Sequence, residues 1–183
     1  MSTLLATGRI RHIGICNFSP AQLKALIAST AGLIKPYNHQ FEIHPYLPQS
    51  EFVEWHAEND IKVTAYSPLG NMNPTYSGKA TMEEMKDVPP LLQNEIVTKI
   101  AKERGCTPAQ VALKWGLKRG VAVIPKSAHK GRIEENFAAG EKCELEEEDF
   151  EELKKLPVKR FNNPSKSYGV KLFEGLEDSE VDL

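Results

Sequence analysis

Cysteine is scarce: Cys16, Cys106 and Cys143 are the only ones in 183 residues. They lie far apart and are odd in number. They form no metal-ligand spacing and suggest no disulfide framework, so buried or incidental thiols are expected. Long apolar runs are also missing. Nothing approaches the ~20 residues of a membrane span, and no membrane partner is expected. The start, MSTLLATGRIRH, has no early basic region, and LLA is too short for a secretory core, so the expected location is the cytoplasm. Excess charge is lacking too. The net charge of −2 argues against a nucleic-acid partner. What is present, 40% hydrophobic and 26% charged residues, is the profile of a soluble globular domain.

The apolar pattern alternates between two periods. Residues 10–16, IRHIGIC, read as a strand that NFSP breaks. Ser19, Pro20 and Gln22 form the start signal of a helix, SPAQLKALIAST, ending at Gly32. KPYNHQFEIHPY reads as a second strand and SEFVEWHAEND as a second helix, with Phe52, Trp55 and His56 on one face. IKVTAYSPLG is a third strand with its exit turn. Residues 70–90 are polar and rich in Gly and Pro, a long loop that reads either as a functional lid or as a disordered segment. LLQNEIVTKIAKERG and TPAQVALKWGLKRG read as helices, the second opened by Thr107, Pro108 and Gln110. VAVIPKS is a fourth strand, followed by helices in HKGRIEENFAAG and LEEEDFEELKKL, and by a polar tail over 157–183. Strands alternating with helices predict an α/β chain, a single domain over 1–183, with a parallel sheet. No G-x-G-x-x-G follows any strand, so the dinucleotide fingerprint of the open doubly wound fold is missing.

Polar groups recur where these strands end. Asn17 follows the first. Gln40 and Glu42 share one face of the second, with His39 and His44 beside them. Tyr66, Ser67, Leu69 and Gly70 follow the third. Lys126, Ser127, Arg132, Glu135 and Asn136 follow the fourth. Parallel strands bring such ends to one rim, which in a (β/α)8 barrel is the active face. Taken singly, each has a plain reading: a turn residue, a rim charge, a packed aromatic. His44, before Pro45, reads as structural and Trp115 as core. Glu51, Glu54 and Glu58 read as a solvated helix face, as does ELEEEDFEE. No group shows metal-ligand spacing.

Together the stations resemble the aldo-keto reductase family. IRHIGICNFS, NHQFEIHPYLPQ, VTAYSPLG, IPKSAHKGRIEENF and FNNPSKSYG resemble five of its motifs in order, over residues 9 to about 172. The resemblance implies a parallel (β/α)8 TIM barrel that reduces small-molecule carbonyl substrates to alcohols with NADPH. It implies that Asn17 and Gln40 hold the nicotinamide carboxamide, that Tyr66 stacks on the ring, and that Ser67, Leu69 and Gly70 line the pyrophosphate. Lys126, Ser127 and Arg132 would bind the 2′-phosphate, with Glu135 and Asn136 at the adenine. Cys16 stands where serine is usual and His39 where asparagine is usual. The tail RFNNPSKSYG leans toward the fungal-type aldehyde and sugar reductases.

The family's catalytic Asp, Tyr, Lys and His belong to the first half of its barrel, and none of their motifs is found in these residues. A barrel of this kind typically needs ~250 residues. The expectation is therefore an N-terminally truncated domain holding the equivalents of strands 5–8, with residues 70–90 over the cofactor. It should be inactive alone, and its open sheet edges invite self-association. Two alternatives are a non-catalytic NADPH-binding or interaction module and a half-barrel that dimerises.

Overall fold

The computed structural model describes residues 2–30, 32, 35–70, 88–163, 165, 169 and 171–176. Most of the loop expected over 70–90, and much of the tail, lie outside them. The described chain divides into two compact units, Met1–Phe41 with Gln49–Thr64 and Asn162–Leu183, and Glu42–Pro48 with Ala65–Phe161.

In the first unit a short helix, α1 (Ser2–Ala6), precedes β1 (Gly14–Cys16), α2 (Pro20–Ser29), β2 (Asn38–Glu42, its last residue in the second unit) and α3 (Ser50–Glu58). β3 (Lys62–Tyr66) begins here and ends in the second unit. β1 and β2 are parallel, with Gly14 opposite Asn38 and Cys16 opposite Gln40. α2 starts where its sequence says. Ser19 accepts from the Gln22 amide, and the Gln22 side chain accepts from the Ser19 amide. That capping box satisfies two amides the first turn leaves without a helical partner. Leu23, Phe41, Phe52, Ile61 and Val63 form the core of this unit.

In the second unit, a 3-10 turn (Leu91–Gln93) leads into α4 (Glu95–Arg104), α5 (Pro108–Lys118), β4 (Ala122–Val123), α6 (Lys130–Phe137), α7 (Ala139–Lys142) and α8 (Glu147–Leu153). Asn94 divides what reads in sequence as one helix from residue 91. Its backbone is extended and its side chain accepts from the Ile96 amide, so it caps α4 instead of continuing the 3-10 turn. α5 is buried from Ala109 to Gly116, as a helix surrounded by neighbours must be. Gly116 allows this closeness, since a Cβ there would stand 2.8 Å from Val123 Cγ1. Lys114 is buried on the same helix, and its ammonium donates to the Gly140 carbonyl and the Glu144 carboxylate at 2.7 and 2.6 Å.

The described strands form one sheet in the order β1-β2-β3-β4, so the expected α/β class with a parallel sheet holds. They are shorter than the apolar runs suggest. The cysteine reading needs correction. Cys106 and Cys143 are joined as a disulfide, with Cα atoms 5.5 Å apart across 37 residues of sequence, and only Cys16 is free. The α4–α5 turn and the chain after α7 meet in space, which spacing alone does not reveal. Among the described residues no helix is long and apolar enough to cross a membrane, and no cluster of His, Cys, Asp and Glu could hold a metal.

Candidate functional site

A cleft of about 300 Å³ lies in the second unit, at the exits of β3 and β4. Its walls bring together Ser67, Leu69, Gly70, Lys126, Ser127, Arg132, Glu135 and Asn136. These residues lie up to 69 positions apart, and parallel strands deliver them to one place because each strand ends at the same side. The β3 exit is a tight turn. Ser67 takes a left-handed φ of 48°, and the Gly70 amide donates to the Ser67 carbonyl at 2.8 Å. Gly70 itself has φ 62°, and a Cβ there would come within 3.2 Å of Leu91. The positive φ favours glycine, and any side chain there would also crowd Leu91.

The β4 exit supplies the charge. Lys126 and Arg132 are exposed, and neither has a hydrogen-bond or ion-pair partner among the described residues. Ser127 Oγ accepts from the His129 amide at 3.1 Å, closing the turn that starts α6. No side chain caps α6, so its first amides remain available beside the two cations. Glu135 is anchored from α5: its carboxylate accepts from the Thr107 hydroxyl at 2.6 Å, and its carbonyl from Gln110 Nε2 at 3.0 Å. Gln110 also accepts from the Thr107 amide, so one capping box both starts α5 and fixes the Glu135 turn of α6. An unpaired lysine and arginine, a hydroxyl and a helix N-terminus form a donor set suited to a phosphate dianion.

Tyr66 ends β3 and is half-buried, outside the lining of this cleft. Asn17 and Gln40 lie in the first unit. There the Asn17 amide donates to the Gln40 carbonyl at 3.0 Å. Asn17 has φ 55°, and its Oδ1 is buried without a partner among the described residues. A buried carbonyl left without a donor is costly and fits a site that a ligand N–H completes.

Each unit holds one buried pair that includes histidine, and only the residue types were visible in sequence. In the first unit His39 Nδ1 and His56 Nε2 are 2.8 Å apart, both rings fully buried. Burial, and then the neighbouring His56, push the His39 imidazole from 6.5 down to about 3. Burial also lowers His56, against the Phe52 carbonyl, which raises it. Both rings are therefore neutral at pH 7. Above pH 6.5 neither the folded nor the unfolded chain protonates them, and the contribution to stability is complete. Below it the unfolded chain takes up protons that the folded chain refuses, so stability is lost as pH falls from 6.5 toward 3. Urea unfolding should show a loss of about 2 kcal/mol between pH 7.5 and 5 from His39 alone. His39→Gln should flatten that slope, and a slope unchanged in the variant would contradict the assignment.

In the second unit Glu42 is fully buried and accepts from His44 Nε2 at 3.0 Å and from the Phe161 amide at 2.9 Å. Burial raises its pKa. The His44 hydrogen bond and charge, the Phe161 amide and the Arg160 charge outweigh this, and the carboxyl sits below its ordinary range. His44 is thus structural, as its position before Pro45 suggested, and Glu42 has the partners a polar residue in a buried strand requires.

The sequence matches the model of the aldo/keto reductase family over residues 1–157. The chain belongs to that family. An uncharacterized oxidoreductase of Schizosaccharomyces pombe is 41% identical over 184 residues, covering 99% of this chain and 53% of its own length. An NADPH-dependent D-xylose reductase of Meyerozyma guilliermondii is 38% identical over 165 residues, 90% of this chain and 50% of that protein. The aldose reductase structure from Schistosoma japonicum superposes with a TM-score of 0.78 at 32% identity, covering 97% of this chain and 52% of that one. This aldo/keto reductase chain therefore spans about half the length of the relatives it matches. Its four-stranded parallel sheet with helices is consistent with part of a (β/α)8 barrel.

Proposed function

We propose that this chain supplies the cofactor-holding residues of an NADPH-dependent carbonyl reductase. The observation that carries the reading is that Lys126 and Arg132, with no hydrogen-bond or ion-pair partner among the described residues, stand beside Ser127 in the lining of the β3/β4 cleft. NADPH differs from NADH by a 2′-phosphate, and a dianion is what this set of donors is suited to bind. When bound, NADPH supplies the hydride that converts an aldehyde or ketone to an alcohol.

The chain's own residues would bind and orient. Lys126, Ser127 and Arg132 hold the 2′-phosphate, and Glu135 and Asn136 face the adenine. Ser67, Leu69 and Gly70 border the pyrophosphate through the bare backbone of the turn. Tyr66 stacks on the nicotinamide, while Asn17 and Gln40 meet its carboxamide, Asn17 Oδ1 accepting the N–H it lacks. The D-xylose reductase among the relatives is NADPH-dependent by name, which supports the same cofactor class here.

Within these residues no side chain is assigned to proton donation, so binding and turnover separate. Titration of the 183-residue chain with NADPH, followed by cofactor fluorescence, should saturate, and NADH should bind more weakly. With glyceraldehyde added, absorbance at 340 nm should stay constant. Absence of NADPH binding would sink the reading; steady NADPH consumption would sink the claim that this chain binds without turning over.

A further inference from the structure

Three hydrogen bonds run in one direction through the first unit. The Phe18 amide donates to His39 Nε2 at 3.1 Å, which requires that nitrogen to be unprotonated and places the ring proton on Nδ1. His39 Nδ1–H then donates to His56 Nε2 at 2.8 Å. His56 Nδ1–H donates to the Phe52 carbonyl at 2.6 Å. No other pair of neutral tautomers satisfies all three bonds, because the Phe52 carbonyl can only accept and the Phe18 amide can only donate. The relay starts at the residue after Asn17 and ends inside α3.

Aromatic packing holds it in place. His39 lies 4.7 Å from the Phe41 ring and edge-on to Phe52, and His56 lies edge-on to Phe52 at 4.3 Å between centroids. Both rings are fully buried among these neighbours. At its open end is Asn17, a left-handed non-glycine residue whose side-chain oxygen is buried and has no partner among the described residues. Two bonds fix that turn from either side of the Asn17 Cα: Asn17 N–H to the Gln40 carbonyl, and Phe18 N–H to His39.

We infer that His39 and His56 are positioning residues for the cofactor, locking the Asn17–Phe18 turn in the conformation that leaves Asn17 Oδ1 to accept from a carboxamide N–H. His39 supplies the acceptor, and His56 selects the tautomer in which it can accept. The inference rests on the assignment of Asn17 to the carboxamide under the proposed function.

The test uses the full chain and two ligands. NADPH carries the carboxamide, whereas adenosine 2′,5′-bisphosphate carries only the end assigned to Lys126 and Arg132. His39→Leu should weaken NADPH roughly 5- to 10-fold, the effect of about one hydrogen bond, and leave the bisphosphate within about twofold. His39→Gln, whose Oε1 stands about where Nε2 stands, should restore NADPH to within about threefold. The Phe18 amide proton should move upfield in the leucine variant and return in the glutamine variant. If His39→Leu does not fold, His56→Leu tests the same point: it keeps the acceptor ring, releases its tautomer, and should weaken NADPH about threefold with no change for the bisphosphate. Equal weakening of both ligands, unchanged NADPH affinity, or no rescue by glutamine overturns the inference. Wild-type chain that binds the bisphosphate but shows no gain for NADPH overturns it through Asn17. Wild-type chain that binds neither overturns the proposed function and this inference with it.

Discussion

Replacing Lys126 and Arg132 together by alanine should weaken NADPH about 100-fold and NADH by less than about threefold. Hydrogen bonds to charged groups contribute about 1.5–3 kcal/mol each. Both side chains are exposed, so solvent screening places each at the low end of that range or below it. Two such losses combine to roughly 2.5–3 kcal/mol, or about 100-fold. NADH has no 2′-phosphate, so the same residues have nothing to hold when it binds. The effect should shrink as ionic strength rises, since the Debye length is about 8 Å at 0.15 M salt. Arg132→Lys should recover only part of the loss, because the planar two-pronged donor geometry is gone while the charge remains. Fluorescence titration with both cofactors checks this. Equal weakening of NADPH and NADH would remove the 2′-phosphate assignment and leave a cleft with no stated preference.

Replacing Glu42 by alanine should cost about 2–5 kcal/mol of stability, since two buried donors each lose their acceptor at about 1–3 kcal/mol apiece. The carboxylate is fully buried and accepts from both His44 and the Phe161 amide. Without it, two buried donors lose their acceptor and a cavity is left in their place. Glu42→Gln keeps one carbonyl oxygen and should lose less. The pH dependence has a window distinct from that of His39. The Glu42 carboxyl lies below its ordinary value of 4.5 in the fold, so its contribution is complete above about pH 4.5 and is lost as pH falls through the folded value. Urea unfolding of wild type and both variants at pH 7 is decisive. A loss in Glu42→Ala no larger than that of an ordinary surface substitution would show the pair to be dispensable.

The fold was legible where its causes are local. Ser19 with Gln22 and Thr107 with Gln110 start helices through bonds spanning three residues, and both capping boxes stand where the sequence places them. The basic cluster after the fourth strand was legible too, since Lys126, Ser127 and Arg132 are near neighbours in the chain. The break at Asn94 was missed although its cause is local. An asparagine inside a helical pattern reads as a tolerated polar residue until its side chain is seen to cap.

What spacing does not carry is the choice of distant partner. The sequence alone determined the alternation of strands and helices, the caps, and the residue types at each strand exit, because these follow from chain neighbours and hydrophobic period. Only the tertiary structure decided that Cys106 meets Cys143, that Glu42 binds an amide 119 residues away, that Thr107 and Gln110 anchor Glu135, and that His39 and His56 share a proton line behind Asn17. Each of these joins groups that reach one another through packing of separate elements. A buried donor must find an acceptor wherever the fold brings one, and the sequence states the need without naming the partner.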